Sequence, residues 1–233
     1  MIKISFVVAV VLLVSCNKLT PPQPSFKKVV MMGDSQIKQI EGGYTGIKSS
    51  WNEVLEMDNI VNEGHNGYMF EEMYKGIDGN VPLQQAINHH PDYVYLMGGT
   101  NESLSGEWDE IESPKKTIYW LDKICKELEV NNIPFSIHLP VPFTKSKDSA
   151  VNIGGILNYR IEKISKVIEE YCCINNIECI DLKPFLCYKD EITNRWFLTD
   201  KLSFDGIHFN LGGYEMWKKP LLCSMNNKGL FSL

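Results

Sequence analysis

Four short polar clusters carry the residue types from which an acyl-transfer site can be built. Ser35 stands in "GDS", directly after the apolar run "VVMM". "NEGHNG" covers 62–67, "GGTNES" covers 98–103 and "DGIHF" covers 205–209. A serine hydroxyl is a weak nucleophile unless a neighbouring base takes its proton. His208 is of the type that can do this. Asp205, three residues earlier, is of the type that holds the imidazole in one tautomer and stabilises the imidazolium. Acyl transfer also needs donors where negative charge develops on the carbonyl oxygen. The Ser35 N–H, the Gly64 N–H and the Asn101 amide can supply three. A glycine suits such a place because substrate must approach the backbone closely.

Each cluster alone has a plainer explanation. Ser35 can belong to a chain-reversing turn, and Gly64 and Gly67 can be turn glycines. Asn101 can cap a helix, with Glu102 in its first turn. Asp205 can cap a turn beside a half-buried His208. The chemistry resides in the set, so the elements that would bring the set together matter.

Those elements are legible as alternating patterns. Short apolar runs at 28–32, 59–62, 93–97, 134–139 and 177–182 read as strands covered on both faces, as in a parallel sheet. Between them lie helical repeats: Ile118, Leu121, Cys125 and Leu128, then Leu157, Ile161, Ile164, Ile168 and Cys172. "SSWNEVLEM" and "LQQAINHH" read as shorter helices, and "GGYEMWKKPLLCSM" as a last helix disturbed by Pro220. Strand–helix alternation predicts an α/β protein, a three-layer α/β/α sandwich on a mainly parallel sheet. In that architecture ligands bind beyond the C-terminal ends of the strands, which is where the clusters fall.

In order, GDS, N-x-G, G-x-N and D-x-x-H resemble the motifs of the GDSL/SGNH hydrolases. The likeness runs from about Lys28 to the last helix. It implies a flavodoxin-like sheet of five parallel strands, with Ser35 as nucleophile, His208 as base, Asp205 as its orienting acid, and Ser35, Gly64 and Asn101 at the oxyanion hole. Gly67 competes with Gly64; Gly64 is preferred because it follows Asn62 by two. Gln36 and Glu102 depart from the family pattern, which has leucine and commonly aspartate there. Asp34 is expected to fix the turn. The implied activity is ester hydrolysis through an acyl-enzyme, without cofactor or metal. The family includes carbohydrate O-acetylesterases, lysophospholipases, thioesterases and broad esterases. The expected substrate is a small-molecule or glycan ester, with a glycan O-acetyl group favoured. The alternatives are a lysophospholipase- or thioesterase-type acylhydrolase, and a non-catalytic glycan-binding lipoprotein of the same fold.

Composition narrows the setting. The 233 residues are 44% hydrophobic and 22% charged, which suits one globular domain. A net charge of −6 without a basic cluster argues against nucleic acid as partner. At the N-terminus, Lys3, the run "ISFVVAVVLLV" and Ser15 read as a signal peptide, residues 1–15. "LVSC" resembles a bacterial lipobox, which predicts lipidation of Cys16, a Pro-rich tether over 16–26 and a hydrolase domain over 27–233. The implied location is the bacterial cell envelope, anchored through that lipid. The other six cysteines show no zinc-type spacing and are expected as buried thiols or one or two disulfides. His138 is expected within a strand, His89 and His90 at a helix end, and His65 beside the site. Tyr44, Trp51, Tyr68, Trp108 and Trp196 are candidates for stacking on a sugar ring or for packing.

Overall fold

Val29 to Met32 show no solvent exposure, and successive side chains enter opposite hydrophobic clusters. A strand buried on both faces needs a covering layer on each. The computed structural model describes residues 27–42, 46–150 and 156–230. The expected signal peptide 1–15, Cys16, the tether 16–26 and Tyr44 lie outside the described residues.

Five strands form one sheet: β1 (Val29–Gly33), β2 (Ile60–Gly64), β3 (Tyr93–Met97), β4 (Phe135–His138) and β5 (Glu178–Ile180). Their order is β2-β1-β3-β4-β5 and every pairing is parallel. The helices are α1 (Ser35–Lys38), α2 (Trp51–Leu55), α3 (Phe70–Lys75), α4 (Pro82–Asn88), α5 (Thr100–Leu104), α6 (Glu112–Val130), α7 (Lys145–Ala150), α8 (Ile156–Asn175), α9 (Lys183–Leu186) and α10 (Leu211–Asn227). The expected flavodoxin-like, three-layer architecture is present. Against one face, Val29, Met31, Tyr93 and Tyr95 meet Trp51, Tyr214, Trp217 and Leu221 from α2 and α10. Against the other, Val30, Met32, Val94 and Leu96 meet Phe70, Leu83, Leu121, Leu128, Ile164 and Ile168 from α3, α4, α6 and α8. Truncating one such buried leucine to alanine typically costs about 2–5 kcal/mol.

The long helices stop where their sequences say so. After α6 the chain passes through Asn132 at φ +55°, and after α8 through Asn176 at φ +55°. Asparagine tolerates that left-handed conformation. Pro220 does not break α10, which runs through it. The fully buried Trp217 and Leu221 hold the helix to the sheet on both sides of the missing N–H. Several features lie outside the sequence expectations. Among them are the short helices α3, α7 and α9. Another is a small antiparallel pair, β6 (Cys187–Lys189) with β7 (Trp196–Leu198). Its connection is built by Asp190, whose Oδ1 accepts the N–H groups of Ile192 and Thr193. The six cysteines among the described residues are free thiols, Cys125 and Cys172 buried.

Candidate active site

From β1 the chain first winds to β2 on one side, then to β3 on the other. The crevice therefore opens at the C-terminal ends of β1 and β3. Ser35 is the first residue of α1, immediately beyond β1. Asp34 caps that helix, its Oδ1 accepting the Gln36 N–H at 2.9 Å. Complete burial pushes the Asp34 carboxyl up to about 6, against the pull of that hydrogen bond.

The loop before α10 brings the partners. His208 Nε2 lies 2.9 Å from Ser35 Oγ, across a separation of 173 residues. His208 Nδ1 lies 2.8 Å from Asp205 Oδ2. This network assigns the Nδ1–H tautomer, leaving Nε2 to accept from the serine. Asp205 Oδ1 accepts the main-chain N–H groups of Ile207 and His208 at 2.9 and 2.8 Å. Both carboxylate oxygens are thus oriented. Partial burial pushes the Asp205 carboxyl up, but its hydrogen bonds outweigh that and hold it below its usual range.

The expectation for Gly64 as an oxyanion donor does not hold. Its N–H already donates to Asn62 Oδ1 at 2.9 Å. A Cβ on Gly64 would stand 2.3 Å from the Lys38 nitrogen, so the residue is glycine because β2 and α1 touch there. Gly67, rather than Gly64, is the glycine that faces the pocket. It lines the pocket with Ser35, its φ of +77° is the left-handed region that favours glycine, and a Cβ there would meet open space. Among the described residues, the N–H groups of Ser35 and Gly67 have no backbone carbonyl partner. Asn101 lines the same pocket, and its Nδ2 donates to the Tyr68 carbonyl at 2.8 Å. The signal for Gly67 was present in "NEGHNG", but spacing from Asn62 selected the wrong glycine.

The resulting cavity is small, about 200 Å³, and lined by Ser35, Asn66, Gly67, Thr100, Asn101, Leu104, Ile207 and His208. Leu104 and Ile207 are its apolar wall; neither is singled out by the sequence patterns. A larger cavity of about 520 Å³ lies across α5, lined by Met69, Glu71, Glu102 and Trp120 among others, and contains neither Ser35 nor His208. Glu102 thus points away from Asn101. Its Oε1 accepts the Phe70 N–H at 2.7 Å, capping the start of α3, and burial pushes its carboxyl up to about 7.

His65 is not among the pocket residues. Its ring stacks on Tyr68 with centroids 5.0 Å apart, and its Nε2 lies 3.5 Å from Glu63. His89 Nε2 meets the same carboxylate at 2.7 Å. His138 is structural: fully buried, it accepts the Trp217 Nε1–H at 3.0 Å, and burial lowers its pKa to about 3. Trp51 is core, and Trp108 packs under the Arg160 guanidinium at 5.2 Å. Among the described residues no group of three His, Cys, Asp or Glu side chains is arranged to hold a metal. No described helix is long and apolar enough to cross a membrane.

Residues 31–216 match the GDSL-like lipase/acylhydrolase family. Solved structures with the same fold include a GDSL-like lipase from Bacteroides thetaiotaomicron. Its TM-score is 0.66 at 16% identity, over 87% of this chain and 89% of that one. An acetyl xylan esterase gives 0.60 at 19% identity, over 84% and 98%. A variant of an acetyl-xylooligosaccharide esterase from Geobacillus gives 0.61 at 14% identity, over 84% and 93%. The N-acylneuraminate cytidylyltransferase of Escherichia coli O18:K1:H7 (strain RS218 / NMEC) is 19% identical over 170 residues. That match takes in 72% of this chain and 34% of the relative, so the aligned segment spans about a third of that protein's length.

Proposed function

The chain belongs to the GDSL-like lipase/acylhydrolase family, and from that premise we propose that it is a serine esterase that removes short acyl groups, acetyl above all, from carbohydrate. The observation that carries this reading is the relay from Ser35 through His208 to Asp205 at the rim of a cavity of about 200 Å³.

The chemistry follows from the geometry. His208 Nε2 takes the Ser35 hydroxyl proton as Oγ bonds to the ester carbonyl carbon. The electron pair displaced onto the carbonyl oxygen meets the N–H groups of Ser35 and Gly67 and the second amide hydrogen of Asn101. Each such donor is typically worth about 2.7–4 kcal/mol in the barrier. The C–O bond to the alcohol breaks, and His208 returns its proton to the leaving oxygen. Water then gives a proton to His208, attacks the acyl-enzyme and releases the acid, restoring Ser35. Asp205 stays ionised and stabilises the imidazolium.

Cavity size favours a short acyl group. Leu104 and Ile207 give the small cavity its apolar lining, which suits a methyl group. Two neighbours of like fold, an acetyl xylan esterase and an acetyl-xylooligosaccharide esterase, agree with this direction. The proposed setting is the bacterial cell envelope, with Cys16 lipidated; loss of lipid labelling in Cys16→Ala would test it. For the substrate, acetate release from acetylated xylo-oligosaccharides should be measured beside hydrolysis of p-nitrophenyl acetate and octanoate. Acetate release and a strong acetyl preference, both lost in Ser35→Ala, are expected. A preference for octanoate would reject the short-acyl reading.

A further inference from the structure

Gln36 follows Ser35 in α1 and is 1% exposed. Its Nε2 donates to the Ile207 carbonyl at 2.8 Å. Ile207 immediately precedes His208. One side chain, next to the nucleophile in sequence, therefore grips the main chain next to the base.

The other ties of this loop do a different job. Ser203 Oγ donates to the His208 carbonyl, and the Gly206 N–H donates back to Ser203 Oγ, both at 2.8 Å. These fix the loop's own shape. The Thr144 N–H donates to the Gly206 carbonyl at 2.9 Å and seats the loop on the segment after β4. The Gln36 bond ties the loop to α1 itself. The main chain at Gln36 is held in turn, because the Tyr214 hydroxyl donates to its carbonyl at 2.8 Å.

Gln36 is a poor choice for stability alone. Its Oε1 is buried with no hydrogen-bond partner, and a buried acceptor left unmatched destabilises the fold. A leucine of similar size would avoid that cost. We infer that Gln36 is a positioning residue: through the Ile207 carbonyl it sets the separation between Ser35 Oγ and His208 Nε2. This rests on the serine-esterase reading above. Misplacement of reacting groups by about 1 Å can lower a rate on the order of 10²-fold.

Gln36→Leu tests it, because it removes the donor and the unmatched acceptor together. The melting temperature should stay within a few degrees of the wild type, because the unmatched Oε1 is removed while the Ile207 carbonyl loses its donor. With p-nitrophenyl acetate, kcat should fall by about tenfold or more while KM stays within about twofold. Labelling of Ser35 by a fluorophosphonate should slow in parallel. If Gln36→Leu lowers the melting temperature, Gln36→Met provides a second apolar side chain for which the same kinetic result is expected. A wild-type kcat and labelling rate in both variants would overturn the proposal. So would a loss of activity that only tracks the folded fraction. If the wild type itself resists the fluorophosphonate, the esterase reading fails, and this proposal falls with it.

Discussion

The side-chain amide of Asn101 holds the carbonyl of Tyr68 at 2.8 Å, joining α5, the helix after β3, to the loop after β2. One amide hydrogen is thus engaged with the loop that carries Gly67, and in the proposed mechanism the other serves the developing oxyanion. Asn101→Ala removes both effects. The expected result is a loss of about 10²–10³ in kcat with p-nitrophenyl acetate. A variant that keeps more than half of the wild-type kcat would remove Asn101 from the oxyanion hole.

The two glycines of "NEGHNG" should both lose stability on gaining a methyl group, but to different extents and for different reasons. At Gly64 the new Cβ would lie 2.3 Å from the Lys38 nitrogen, and main chain has no rotamer with which to yield. Gly64→Ala should therefore lower stability by about 1–3 kcal/mol or more. At Gly67 the space is open, and the cost is that of a left-handed alanine, about 1–2 kcal/mol. Chemical denaturation separates them: a larger stability loss in Gly67→Ala than in Gly64→Ala would contradict these packing roles.

Asp34 and Asp205 can also be told apart. Asp205→Asn puts an amide where the His208 Nδ1–H needs an acceptor, which favours the wrong tautomer. A fall in kcat on the order of 10³–10⁴-fold is expected. In Asp34→Asn the amide oxygen can still accept the Gln36 N–H, so the cap survives and a much smaller kinetic effect is expected. The reverse order of severity in kcat would reverse the two carboxylates' roles.

Glu102 makes a prediction about stability and pH. Its folded carboxyl is raised by burial to about 7, above the ordinary value of about 4.3 in an unfolded chain. The folded state then binds the proton more tightly than the unfolded state. The corresponding stability is fully present below about pH 4 and is lost as pH rises through about 7. Glu102→Gln keeps an oxygen for the Phe70 N–H but cannot ionise. Relative to wild type, the variant should gain stability between pH 5 and pH 8, by a margin on the order of 2 kcal/mol. Paired thermal melts at the two pH values measure it; an unchanged difference would show that Glu102 does not titrate in that window.

The sheet was legible because its strands are apolar on both faces. "VVMM" and "YVYLM" admit few other readings, and the alternation with helices dictates the layers. Ser35, just beyond β1, and Asp205 and His208, in the loop before α10, were legible as residue types, and the structure links the three by hydrogen bonds. What escaped detection depends on three-dimensional proximity. Gly64 and Gly67 look alike in sequence, and only the contact of β2 with α1 tells packing glycine from pocket glycine. Leu104 and Ile207 are ordinary apolar residues until the loops close around Ser35. Gln36 reads as a departure from a motif, and its partner lies 171 residues away. The β6–β7 pair is too short for periodicity to register.

The position of β1 at the start of the chain has a consequence in time. Ser35 is made early, yet its base follows 173 residues later. At ordinary elongation rates that is roughly 10–35 s of synthesis. Throughout that interval a nascent chain has its nucleophile but no relay to activate it. On the proposed mechanism the protein is born inert, and its reactivity switches on only when the segment around His208 has been made and folds back beside Ser35.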